Sequence, residues 1–263
     1  MAENLFTLEN RVVVVVGAGS GIGEAVALGA AGHGARVECL DVKAETAEAT
    51  KARIRSGGGA AEAAALDIVD STAVEAAIQQ IARSHGRLDA MVCTPAINVR
   101  KKILDYSDDE FDRVVRLNLK GTFNVLRATG RVMTAQRSGS IVIFSSIRSQ
   151  VVEPGQSVYA ATKAGVVQLV RTAAAEFGPS GVRVNAIGPG VVETPLTQQI
   201  KSKPDWYDAY AKKTVFGRWA AAGEMVGPTL FLISDAASYV TGSVLFADGG
   251  WIAADGRFTP PGM

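Results

Sequence analysis

The stretch Val12-Val13-Val14-Val15-Val16-Gly17-Ala18-Gly19-Ser20-Gly21-Ile22-Gly23 decides the fold. Five consecutive valines bounded by Arg11 and Gly17 read as a strand buried on both faces. The glycines that follow allow a tight turn, and a helical pattern over Glu24–Gly32 begins at once. Such a turn presents free backbone N–H groups and the partial positive charge of a helix N-terminus. A glycine cluster that leaves a strand and opens a helix is specific for a phosphate-bearing ligand, where a lone cluster is not.

Working outward, the same rhythm repeats. Apolar runs at Val37–Leu40, Met91–Cys93, Ile141–Phe144, Val182–Ile187 and Val244–Ala247 read as strands. The Ala-rich Ala61–Leu66 has helical propensity, but it ends at Asp67 in step with the others and is taken as a strand. Helical patterns separate them at Ala44–Ile54, Ser71–Ser84 with Ser71 as N-cap, Asp108–Arg131 bent near Gly121, Val158–Phe177 stopping at Gly178-Pro179, and Glu224–Ile233. This alternation predicts an α/β fold: a single doubly wound domain over 1–263, with a seven-stranded parallel sheet and helices on both faces. Residues 193–222 break the rhythm with Trp206, Tyr207, Tyr210, Phe216 and Trp219, and their place late in the sheet predicts a lid over the ligand crevice. The tail, 251–263, has no periodicity and reads as a loose end or an arm on another subunit.

Composition narrows the function. Lys+Arg total 27 and Asp+Glu 26, a balance that argues against a nucleic-acid or membrane-surface binder. Cys39 and Cys93 sit among apolar residues and read as buried free thiols. His33 and His85, the two histidines, lie far apart, which argues against a zinc site and against a Ser-His-Asp triad. No run approaches the ~18 apolar residues of a membrane span, and the start lacks a signal-peptide pattern. A cytoplasmic location is expected.

Two further features carry chemistry. Asp41 ends the second strand, 18 residues past Gly23, where an acid binds the ribose hydroxyls of an adenosine and repels a 2′-phosphate. Taken alone it equally fits the N-cap of the next helix. Lys43, two residues on, weakens the discrimination a little. In Tyr159-Ala160-Ala161-Thr162-Lys163 the phenol and the ammonium share one helix face. A free tyrosine ionises near pH ~10, and a neighbouring cation favours the phenolate, which suits proton transfer at neutral to mildly alkaline pH. An isolated Tyr-x-x-x-Lys pair is usually a solvated helix face.

In combination, the glycine segment, Asp41 and the Tyr159/Lys163 pair before a long apolar helix resemble the short-chain dehydrogenase/reductase family over about residues 8–250. The resemblance implies a Rossmann-fold enzyme using NAD and no metal. It places Gly17, Ser20, Ile22 and Gly23 at the pyrophosphate, with Val16 where the family usually has Thr. Asp67 and Ile68 fall at the adenine, and Thr94 and Ala96 contact the cofactor through backbone. Tyr159 and Lys163 fall at the nicotinamide ribose, and Pro189, Gly190, Val192 and Thr194 at the carboxamide. The implied catalytic set is Asn118, holding a water in a proton relay, Ser146, Tyr159 and Lys163. Ser146 is preferred to its neighbour Ser145 because it lies thirteen residues before Tyr159. The chain departs from the family at Cys93-Thr94-Pro95-Ala96, where Asn-Asn-Ala-Gly is usual. That change removes a side chain that braces neighbouring strands, and Pro95 also removes an N–H.

Arg100 and Arg148 follow the fourth and fifth strands and join Ser146 and Tyr159 as substrate candidates. Guanidinium forks suit carboxylates or several hydroxyls, and Ile97-Asn98-Val99-Arg100-Lys101 is similar to sugar and sugar-acid dehydrogenases of the family. The expected substrate is a small polar hydroxy compound: a sugar, polyol or hydroxy acid. The alternative reading of each arginine is a surface or subunit salt bridge. An apolar cyclic ketone or secondary alcohol is the alternative substrate, and a non-catalytic NAD-binding sensor or interaction module the alternative of another class. The resemblance also implies a homotetramer.

Overall fold

The computed structural model describes residues 4–254. Strands and helices alternate through β1 (Val12–Val16), α1 (Gly21–Gly32), β2 (Arg36–Asp41), α2 (Ala44–Ser56), β3 (Ala60–Ala65), α3 (Ser71–His85) and β4 (Ala90–Cys93). The second half adds α4 (Asp108–Val115), α5 (Thr122–Gln136), β5 (Gly139–Phe144), α6 (Ser157–Phe177) and β6 (Val182–Pro189). After these come β7 (Val192–Glu193), α7 (Gln198–Lys201), α8 (Pro204–Ala211), β8 (Ala220–Ala221), α9 (Val226–Ile233) and β9 (Val244–Ala247). The expected seven-stranded sheet is present, in the order β3-β2-β1-β4-β5-β6-β9, with every pairing parallel.

The run of valines follows from the two covered faces. Val12, Val14 and Val16 pack with Ile78, Val125 and Val166, while Val13 and Val15 pack with Val26 and Leu230 on the opposite side. Each side chain withdrawn from water in this way contributes ~1.5–3 kcal/mol. Strand order reverses direction between β1 and β4, and the crevice outside the C-terminal ends of those two strands is where such sheets bind ligands.

Local details differ from the sequence expectation. The N-cap of α3 is Asp70, whose carboxylate accepts from Thr72 N at 2.9 Å and Ala73 N at 3.0 Å; Ser71 is already helical. The helix expected over Asp108–Arg131 is α4 and α5 joined by a π-helical turn at Arg116–Gly121. Gly121 lets that turn lie against Ile68, since a Cβ there would stand 2.7 Å from Ile68 Cγ1. The helix expected from Glu224 opens as a 3₁₀ turn, Ala222–Met225, before α9. Residues 193–222 carry α7, α8 and the small parallel pair β7–β8. Of the tail, Trp251 is buried under Tyr210, with ring centroids 5.5 Å apart; 255–263 lie outside the described residues.

Candidate active site

A cavity of about 470 Å³ opens at the switch point between β1 and β4. Its lining gathers Gly17, Ser20, Ile22, Gly23, Asp41, Asp67, Ile68, Thr94, Ala96 and Thr194. Gly17 and Gly21 adopt φ of +83° and +57°, which favours glycine. A Cβ on Gly23 would stand 2.0 Å from Gly17 O, so the turn closes this tightly only with glycine there. Asp41 is not the N-cap of α2; Lys43 is. Its carboxylate instead accepts from Gly19 N at 3.0 Å and Lys43 N at 3.1 Å and faces the cavity. The Ile68 carbonyl accepts from Asn124 Nδ2 at 2.9 Å, a buried support that sequence reasoning did not single out. Glycine cradle, acid and apolar wall together fit a dinucleotide.

Pro189, Gly190 and Val192 do not line this cavity. Gly190 N donates to Ala247 O at 3.1 Å, and the Val192 carbonyl accepts from Thr197 Oγ1 at 2.8 Å. Those groups serve the end of β6 and the start of the segment that follows it.

The departure at Cys93–Ala96 has a structural answer. Thr94 Oγ1 donates to Val16 O at 3.0 Å and Thr94 N donates to the same carbonyl at 3.1 Å, so the threonine joins β4 to β1. Cys93 is buried, and burial pushes its thiol up to about 12.

α6 delivers Tyr159 and Lys163, both buried and neither lining the cavity; Asn118, which bonds Ile97 of the cavity wall, ties α6 to it through Thr162 Oγ1 at 3.2 Å. The Lys163 ammonium donates to Phe144 O at 2.8 Å and stands 5.7 Å from the centroid of the Tyr159 ring. Burial drives Lys163 down to about 8. Burial likewise raises Tyr159, outweighing the Ser146 hydroxyl and the Arg100 and Arg148 guanidiniums, which lower it. Ser146 and the two arginines thus favour the phenolate, and the Lys163 ammonium is tied to the end of β5.

Ser145 and Ser146 have separate tasks. Ser145 Oγ donates to Lys163 O at 2.9 Å and fastens α6 to β5, whereas Ser146 Oγ caps a short turn by accepting from Arg148 N at 3.1 Å. Asn118, in the π turn, clamps the segment after β4: Oδ1 accepts from Ile97 N at 2.9 Å and Nδ2 donates to Ile97 O at 2.9 Å. Its carbonyl accepts from Thr122 Oγ1 at 2.7 Å.

Arg100 and Arg148 meet on a residue not foreseen, Glu153. Arg100 reaches Oε1 at 3.1 Å, Arg148 pairs with Oε2, and the Tyr210 hydroxyl of α8 donates to Oε1. Arg148 is 6% exposed, which excludes a surface bridge within the chain. The aromatics of residues 193–222 pack on one another, Tyr207 stacked on Trp219 at 4.9 Å.

Fold and cavity together define a Rossmann-class α/β protein with a dinucleotide-binding crevice. A family model described as enoyl-(acyl carrier protein) reductase matches residues 17–252. D-threitol dehydrogenase of Mycolicibacterium smegmatis is 37% identical over 246 residues, covering 94% of each chain. 3-Oxoacyl-(acyl-carrier-protein) reductase of Thermotoga maritima is 34% identical over 93% of this chain and 99% of its own. A gluconate 5-dehydrogenase from Burkholderia cenocepacia, solved with NADP and tartrate, superposes with a TM-score of 0.92 at 33% identity, covering 95% of this chain and 98% of that one. The chain belongs to the short-chain dehydrogenase/reductase family, oxidoreductases that act on CH–OH groups. No helix among the described residues is long and apolar enough to cross a membrane.

Proposed function

We propose that this chain is an NAD-dependent dehydrogenase/reductase of a small polar hydroxy compound, working as one domain. The observation that carries the reading is the buried Tyr159–Lys163 pair on α6, set beside a glycine-lined crevice of dinucleotide size. Gly17, Ser20, Ile22 and Gly23 would hold the pyrophosphate, Asp41 the adenosine ribose and Asp67–Ile68 the adenine. The cofactor, when bound, supplies the hydride acceptor or donor.

The chain's own groups do the rest. Ser146 donates a hydrogen bond to the substrate oxygen. Tyr159 takes the alcohol proton in oxidation or returns it in reduction, and Lys163 holds the nicotinamide ribose. Asn118, through its carbonyl, anchors the water that connects Lys163 to solvent. Asp41 favours NAD, since a 2′-phosphate would meet its carboxylate. The relatives named for threitol and gluconate support a polyhydroxy substrate, and the Arg100–Glu153–Arg148 cluster provides polar partners for one.

A sensor module would bind the dinucleotide without turnover. Screening alcohols, polyols and hydroxy acids for nicotinamide reduction separates the two readings. Tyr159→Phe is expected to abolish turnover while cofactor binding persists; retained turnover would refute the assignment. The expected homotetramer is supported by an apolar groove between α5 and α6, where Phe123 is 43% exposed, and light scattering measures it directly.

A further inference from the structure

Glu153 does more than pair two arginines. Its carboxylate takes Arg100 and Tyr210 on Oε1 and Arg148 on Oε2, so both oxygens are engaged by strong donors. Each guanidinium is also held from another side. Arg148 lies 5.3 Å from the centroid of the Trp251 ring and Arg100 5.3 Å from that of Trp206. The carboxylate position between these forks is therefore already filled, and by a group the chain itself provides.

On the segment that carries Arg100, two buried polar atoms have no hydrogen-bond partner among the described residues: Arg100 Nε, a donor, and Asn98 Oδ1, an acceptor. The amide of Asn98 is oriented by its other end, where Nδ2 donates to Gln156 Oε1 at 2.8 Å. A carboxylate only accepts, so it can satisfy Arg100 Nε but not Asn98 Oδ1. A hydroxyl both donates and accepts and can satisfy either one. A buried polar group left unpaired is costly, which is the physical basis of such selection.

We infer that Glu153 is a specificity-determining residue that makes this site select an uncharged polyhydroxy substrate over the corresponding hydroxy acid. The inference rests on the polar-substrate reading above and narrows it. One positive charge remains in the cluster of two arginines and one glutamate. It faces Tyr159, where both guanidiniums favour the phenolate, so the balance is met by the proton-transfer group and not by a substrate anion.

The test compares neutral and acidic partners of equal carbon number, D-threitol with D-threonate and xylitol with D-xylonate, on the wild-type protein and on Glu153→Gln. Wild type is expected to show kcat/KM for the neutral member at least about tenfold above the acid, from repulsion between two carboxylates at one pair of forks. Glu153→Gln is expected to cut that preference about tenfold, through KM of the acid. Equal or better turnover of the acid by wild type overturns the inference, and so does an unchanged ratio in a Glu153→Gln protein that melts normally. If the variant does not fold, the wild-type ratios decide alone. Turnover confined to apolar alcohols such as cyclohexanol would instead refute the polar-substrate reading itself, and the narrower inference with it.

Discussion

Lys163→Met should change how stability depends on pH, by an amount the burial of the ammonium sets. In the folded chain Lys163 is 3% exposed and ionises at about 8, against 10.5 for the free side chain. The folded state therefore releases its proton first. Between those two values the unfolded chain binds more protons, and stability from this group rises with pH. With ~1.4 kcal/mol per pH unit, the lowered ionisation of Lys163 costs the fold about 3 kcal/mol at pH 7, where the amine is charged, and roughly 1.4 kcal/mol at pH 9.5, where it is neutral. Replacing it by methionine removes that dependence. Urea unfolding of the cofactor-free proteins at equal concentration should then give a stability difference, wild type minus variant, that grows by ~2 kcal/mol from pH 7 to pH 9.5. Taking the difference between the two proteins cancels the opposite trends of Cys39, Cys93 and Tyr159, whose raised ionisation makes the fold lose stability at higher pH. At pH 7 the loss of the bond to Phe144 O, ~1–3 kcal/mol, offsets most of the variant's gain, so the pH trend is the diagnostic quantity. A flat difference across that range would refute the claim that the amine is held charged at a desolvation cost.

Other outcomes follow from the same geometry. Asp41→Ser should move the ratio of kcat/KM for NAD over NADP toward NADP by about a hundredfold, read in paired initial-rate assays, because the repelling carboxylate is gone and Lys43 remains. Thr94→Val keeps shape but removes the hydroxyl bond to Val16 O, and should lower stability by ~1 kcal/mol in urea titration. Gly121→Ala would press a methyl against Ile68 and is expected to cost ~1–3 kcal/mol while raising KM for the dinucleotide, since Ile68 lines the cavity. Asp70→Ala should lower stability by ~1 kcal/mol through loss of the α3 cap and leave kcat unchanged.

Much of the fold was legible because its signals are local. A five-valine strand, a glycine turn and a helix in succession admit one arrangement, and the regular return of short apolar runs counted the strands of the sheet. The cofactor side was legible for the same reason: ten of the residues expected there line a single cavity, all of them near the C-terminal ends of strands. The cap of α3 was misplaced by one residue because Asp70 and Ser71 are both good caps, and only the backbone dihedrals choose between them. The π turn at Arg116–Gly121 left no periodic trace, since inserting one extra residue per turn barely disturbs an apolar pattern over so short a span.

The sequence by itself determined the parallel sheet, the position of the glycine cradle and the spacing of Tyr159 and Lys163, all set by chain-local periodicity and backbone freedom. Tertiary structure decided which charges act on which groups. Glu153 meets Arg100 across 53 residues, and Tyr210 reaches the same carboxylate from α8. Lys163, one turn after Tyr159 on α6, donates across to the carbonyl of Phe144 at the end of β5. Electrostatic partnership depends on distance and burial in space, and neither is encoded in the separation of residues along the chain.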